Sequence, residues 1–173
     1  MTASTVVFLL LRAAHVLLAT IWVGGVALNS LFLFPALQEA GPSAGPVLTA
    51  LTRRKLPAYM ASIGGVTVLT GLYLYYRFTG GFDPALSGSM GARIFGLGGV
   101  CGIAALIIGG AVVTRSAKKM AAIGARLGSA PDAERAALAA EMDAARQKAA
   151  TFSRVVLVLQ MIAVVCMAVG HYL

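Results

Sequence analysis

The chain has 173 residues, of which 59% are hydrophobic and 12% charged, with 20 glycines and a mean hydropathy of +0.86; that balance describes a polytopic membrane protein and excludes an ordinary soluble domain. Its 6 acidic residues all lie outside the apolar stretches, and no paired carboxylates, nucleophile triad or phosphate-binding loop is present, which argues against hydrolase and proton-pump chemistry. The net charge of +8 comes without the aromatic-interleaved basic patch of a single-strand binder, so nucleic acid is not the expected partner.

Four apolar stretches, Val6 to Leu37, Leu56 to Tyr76, Ile94 to Val113 and Val155 to Tyr172, each reach the roughly 20 residues a helix needs to cross about 30 Å of hydrocarbon. The first is too long and ends too late for a cleaved signal, with no small-residue cleavage site after a short apolar core, so it is expected to stay in the mature protein. At about 1.5 Å per residue it exceeds the hydrocarbon thickness. Arg12 should snorkel to the headgroups and set the depth, leaving His15 about one turn inside the boundary. His15, Trp22 and Asn29 then recur every seven residues and form one polar and aromatic seam. Gly24 and Gly25 lie along it, where missing side chains let a helix or a flat ligand approach the backbone. Pro35 is expected to end this helix.

The second span offers Met60, Gly64, Thr67 and Gly71 in similar register. From Thr79 to Gly88 the sequence is turn chemistry and is expected to fold over one mouth of the bundle. The third span opens at Arg93 and continues through Gly96, Gly98, Gly99 and Gly102, a small-residue surface. Ala117 to Leu127 extends this helix, Gly128 breaks it, and Ser129-Ala130-Pro131-Asp132 resembles a helix start with proline in the first turn. Strong helix formers from Ala133 to Arg154 carry the last helix unbroken into the membrane. Gln160, Val164, Met167 and His171 share one of its faces. Cys101 and Cys166 differ in depth and read as small apolar core residues.

All but Arg12, Arg77 and Arg93 of the 14 basic residues fall in the two connections that follow the first and third spans. The positive-inside rule puts those connections in the cytoplasm and both termini outside. The expected fold is therefore all-α: an integral membrane four-helix up-down bundle with spans of about 10–37, 56–77, 93–114 and 154–172, and a cytoplasmic helical hairpin over about 115–153. The expected location is a bacterial inner membrane with periplasmic termini. Membrane lipid is one partner; a soluble protein at the basic hairpin, or a second copy of the chain, is another.

An ionisable residue inside the membrane is a functional-site candidate by default. His15 is the stronger of the two histidines, because an apolar setting favours the neutral imidazole that binds metal. His171 reaches the same boundary from the other direction, and beside Tyr172 it also reads as an interfacial residue. The glycine faces read as packing devices as well as ligand space, and Asn29 and Gln160 as interhelical hydrogen-bond partners.

Leu11-Arg12-Ala13-Ala14-His15, then Ile21-Trp22-Val23-Gly24-Gly25 and Phe34-Pro35-Ala36-Leu37, resembles the first-helix signature of the CopD-like (copper-resistance D) membrane proteins, which are similar in architecture to the HemJ-type protoporphyrinogen oxidases. The resemblance extends more weakly to Arg53-Arg54-Lys55-Leu56, to Gly71-Leu72 and to the run before His171-Tyr172-Leu173. The HemJ-type resemblance implies haem b on His15. It also implies a lysine at the head of the third span, where this chain has Arg93, whose permanent charge bars it from acting as a base or ligand. The CopD-like resemblance implies copper handling. Bis-histidine haem would use His15 and His171, space at Gly24 and Gly25, contact with Trp22, and Arg12 or Arg93 for the propionates. Copper(I) would favour His15, His171 and Met167, with Cys166 nearby.

Overall fold

The computed structural model describes residues 2–173 and contains no strand among them. Six helices and a 3-10 turn, Gly41–Ala44, account for it: α1 (Ala3–Glu39), α2 (Gly45–Arg53), α3 (Leu56–Phe78), α4 (Pro84–Ser87), α5 (Met90–Leu127) and α6 (Asp132–Tyr172). Of these, α1, α3, α5 and α6 are 37, 23, 38 and 41 residues long and apolar enough to cross a bilayer. The protein is thus an integral membrane protein by the length and composition of its helices.

Local sequence explains most helix ends. The Thr2 hydroxyl accepts the Thr5 amide at the head of α1. Asp83 caps α4 through the amides of Ala85 and Leu86, and Ser89 caps α5 through that of Ala92. Lys55, at φ 58, takes the left-handed conformation that separates α2 from α3. Gly80, Gly81 and Phe82 all have positive φ, which turns the Phe82 ring back against Tyr75 and Tyr76.

Pro35 does not end α1; the helix continues to Glu39. The reason lies just upstream, where Asn29–Leu33 widens to a π-helical turn and the Phe34 amide reaches back to the Asn29 carbonyl. That register shift absorbs the donor that proline lacks. A second π turn, Gly109–Val113, interrupts α5.

The spans meet as neighbours around a closed circuit. Side chains of α1 enter notches on α3, Phe78 of α3 stacks edge-on with Phe95 of α5 at 5.0 Å, and a Cβ on Gly98 of α5 would touch Cys166 of α6. Ser30 of α1 closes the circuit by bonding the Ser153 hydroxyl of α6. Cys101 and Cys166 are buried free thiols.

Beyond the apolar spans the basic end folds into a cap with its own core. There the ends of α5 and α6 pack side by side as a helical hairpin, and α2 joins them. Short and beside the cations Arg53, Arg54 and Lys55, α2 has no span-length apolar stretch to announce it. Leu37, Leu48, Met120, Ile123, Leu138 and Met142 pack together there, with Ala149 fully buried among them. Arg146, only 11% exposed in its side chain, ties the hairpin to the turn after α1 by donating to the Gly41 carbonyl at 2.7 Å.

Candidate functional site

The seam of α1 faces α3, and its side chains fill the glycine notches of that helix. A Cβ on Gly64 would lie 2.7 Å from the Trp22 indole, and one on Gly71 would lie 2.8 Å from the His15 ring. The exchange is mutual, since Met60 of α3 occupies the space over Gly25 at 2.6 Å. Spacing of seven on one helix meets spacing of seven on the other, and the pairs run in opposite chain order, His15 with Gly71, Trp22 with Gly64 and Gly25 with Met60, so the two helices are antiparallel. Gly25 is therefore filled by protein, whereas Gly24 faces outward with nothing within 4 Å of its Cβ position.

His15 is half-buried, and its Nδ1 lies 2.9 Å from the Thr67 carbonyl and 3.1 Å from the Thr70 hydroxyl. A carbonyl only accepts, so Nδ1 carries the proton and donates. The Thr67 and Thr70 hydroxyls are themselves turned back onto the carbonyls of Ile63 and Val66. Nε2 makes no hydrogen bond among the described residues and keeps its lone pair. A ring with Nδ1–H anchored to a backbone carbonyl and Nε2 free is oriented as a metal-ligating histidine is.

His171 is exposed in the closing 3-10 turn of α6, with its ring against Tyr172 at 6.0 Å. Its end of α6 packs on α5, with the Gly170 carbonyl against Gly91 and the Phe95 ring against Gly170. His15 faces Gly71 of α3 instead, and no hydrogen bond or ring contact joins the two imidazoles among the described residues. Arg12 and Arg93 are both exposed at this end. Met167 is 36% exposed and leans its methyl on Gly98, on a different helix from His15. No group of three or more His, Cys, Asp or Glu side chains converges among the described residues.

Two features escaped the sequence. Toward the basic end, a cavity of about 120 Å³ opens between the spans, with Trp22, Asn29, Met60, Gly109, Thr114 and Ser153 in its wall. Residues of both π turns line it, and such turns recur at functional sites. The second is Gln160, 1% exposed, whose amide oxygen and nitrogen both lack partners. It was expected to bond across helices and does not. Nothing in sequence spacing signals an orphaned amide; it depends on what the facing helices withhold. Comparisons with protein-family models, with curated proteins and with solved structures return no match.

Proposed function

We propose that the chain is a membrane redox or metal-handling protein of CopD-like type that holds b haem, or copper as the alternative, through His15. In this reading it forms an up-down four-helix bundle in a bacterial inner membrane, with both termini and His15 toward the periplasm. One observation carries the ligand assignment: the Nδ1–H to Thr67 carbonyl bond, which fixes the ring and leaves Nε2 as the free donor. That Nε2 lone pair is what His15 would offer to a haem iron. Arg12, a turn further out on the same helix and exposed, is the cation available to a propionate. Haem bound there would supply one-electron transfer; the chain would orient its ligand and set the surrounding polarity.

The spectrum of detergent-purified protein from haem-replete cells tests this. A Soret band that His15→Ala abolishes and His171→Ala leaves in place is the expected result, because only the His15 ring is held by a backbone carbonyl with its Nε2 free. A colourless, iron-free preparation sinks the haem assignment. If His171→Ala alone abolishes the band, the ligand assignment fails instead.

A second reading is favoured by the fit of His15 against Gly71, which parallels that of Trp22 against Gly64. There the seam is a packing device, and the protein is a membrane subunit or scaffold that acts through its basic cap. That reading expects no cofactor and a lower melting temperature for His15→Ala.

A further inference from the structure

We propose that the groove between α5 and α6 just beyond the apolar spans is a binding site for the phosphate of an anionic phospholipid. The groove, about 250 Å³, is lined by Arg115, Ser116 and Lys119 from α5 and by Ala144, Ala145 and Lys148 from α6. Its floor is formed by the buried small residues Ser116 and Ala145, 7% and 6% exposed. Its rim is three cations drawn from two helices. Lys119 is held by Glu141 at 3.2 Å, while Arg115 and Lys148 join no ion pair among the described residues. Two unpaired cations over a small-residue floor leave a local positive charge that no side chain of the groove answers.

Depth and facing decide the source of the anion. The apolar stretch of α5 ends at Val113, so Arg115 marks the edge of the hydrocarbon, and Lys119 lies about 6 Å further along the helix axis. The headgroup layer occupies about 5–7 Å on each side of the hydrocarbon core. Arg115 and Lys119 therefore span the layer where lipid phosphates sit, and Lys148, about 10 Å before the apolar stretch of α6 opens at Val155, reaches toward it from the aqueous side. The groove also lies on the side of α5 opposite Val113, Thr114 and Ala117, which face the interior cavity. It opens outward, toward lipid. Basic pockets between membrane helices at this level take anionic headgroups, Arg in bidentate fashion and Lys as a point charge.

The test uses the full chain in a neutral detergent, titrated with dioleoylphosphatidylglycerol and followed by native mass spectrometry and melting temperature. Dioleoylphosphatidylcholine and inorganic phosphate serve as separate arms. Phosphatidylglycerol should bind well above both. The double variant Arg115→Gln/Lys148→Gln should lose about 30-fold in affinity, at roughly fivefold per cation near an anionic surface. Lys118→Gln/Arg126→Gln, with the same charge change outside the groove, should stay near wild type. Glu141→Gln releases Lys119 and should tighten binding several-fold, a gain that misfolding does not produce. Equal losses in the two double variants, or inorganic phosphate protecting as well as the lipid, overturn the assignment.

Discussion

The cap at the basic end and the seam between α1 and α3 are both helix packings, yet they are held by different forces. In the cap, polar surface faces water and large side chains such as Met120 and Leu138 are buried at 1% and 4% exposure, so the hydrophobic effect drives association. Along the seam, lipid is as apolar as the protein, and burying a leucine there brings no transfer gain. What remains is close approach: Trp22 and His15 seated in glycine notches, a histidine bonded to a carbonyl and a pair of serine hydroxyls at 2.5 Å. The difference teaches where a substitution will be felt. In the cap volume counts; in the spans, fit and hydrogen bonds do.

Three substitutions press on that contrast. Met120→Ala empties the centre of the cap and should cost about 2–5 kcal/mol, read as a lower urea midpoint of the cap in mild detergent. A cost near zero would mean the cap lacks a water-driven core. Gly64→Ala drives a methyl into the Trp22 ring and should cost about 1–3 kcal/mol in unfolding by a denaturing detergent. If that variant is more stable than the parent, the notch is not the contact that pairs these helices. Ser153→Ala removes only the hydroxyl pair with Ser30, and in membrane helices such bonds average about 0.6 kcal/mol. A loss of several kcal/mol in the same assay would show that this bond, and not shape, dominates the α1–α6 contact.

The sequence made the spans legible because crossing a bilayer demands a minimum apolar length, and the hairpin because helix formers run unbroken on either side of Gly128. The seam was legible too, as a period of seven. Its partner was not: His15 reads as a neighbour of His171 when only depth is considered, yet contacts that depend on Gly64 and Gly71 turn it to α3. Almost every residue of a span is apolar, so hydropathy alone does not tell a lipid-facing side chain from a packed one. Helix α2 was hidden for a different reason, since its burial depends on α5 arriving from far along the chain. The assignment of His15 as the candidate ligand came from its residue type and setting; the tautomer that leaves Nε2 open came from Thr67 alone.

The paired π turns, Asn29–Leu33 on α1 and Gly109–Val113 on α5, act on the molecule as phase shifters. Each takes in about one residue more per turn than an α-helix, which rotates everything downstream by about 100° relative to an uninterrupted helix. Both fall where the spans hand over to the cap. The face a helix shows its neighbours in the bilayer is thereby uncoupled from the face it shows in water. One continuous helix can thus satisfy two packing codes: deleting the extra residue would return either turn to α-helical pitch and keep the downstream faces where they are, whereas deleting a residue from a regular turn would rotate the cap against the spans by about 100°.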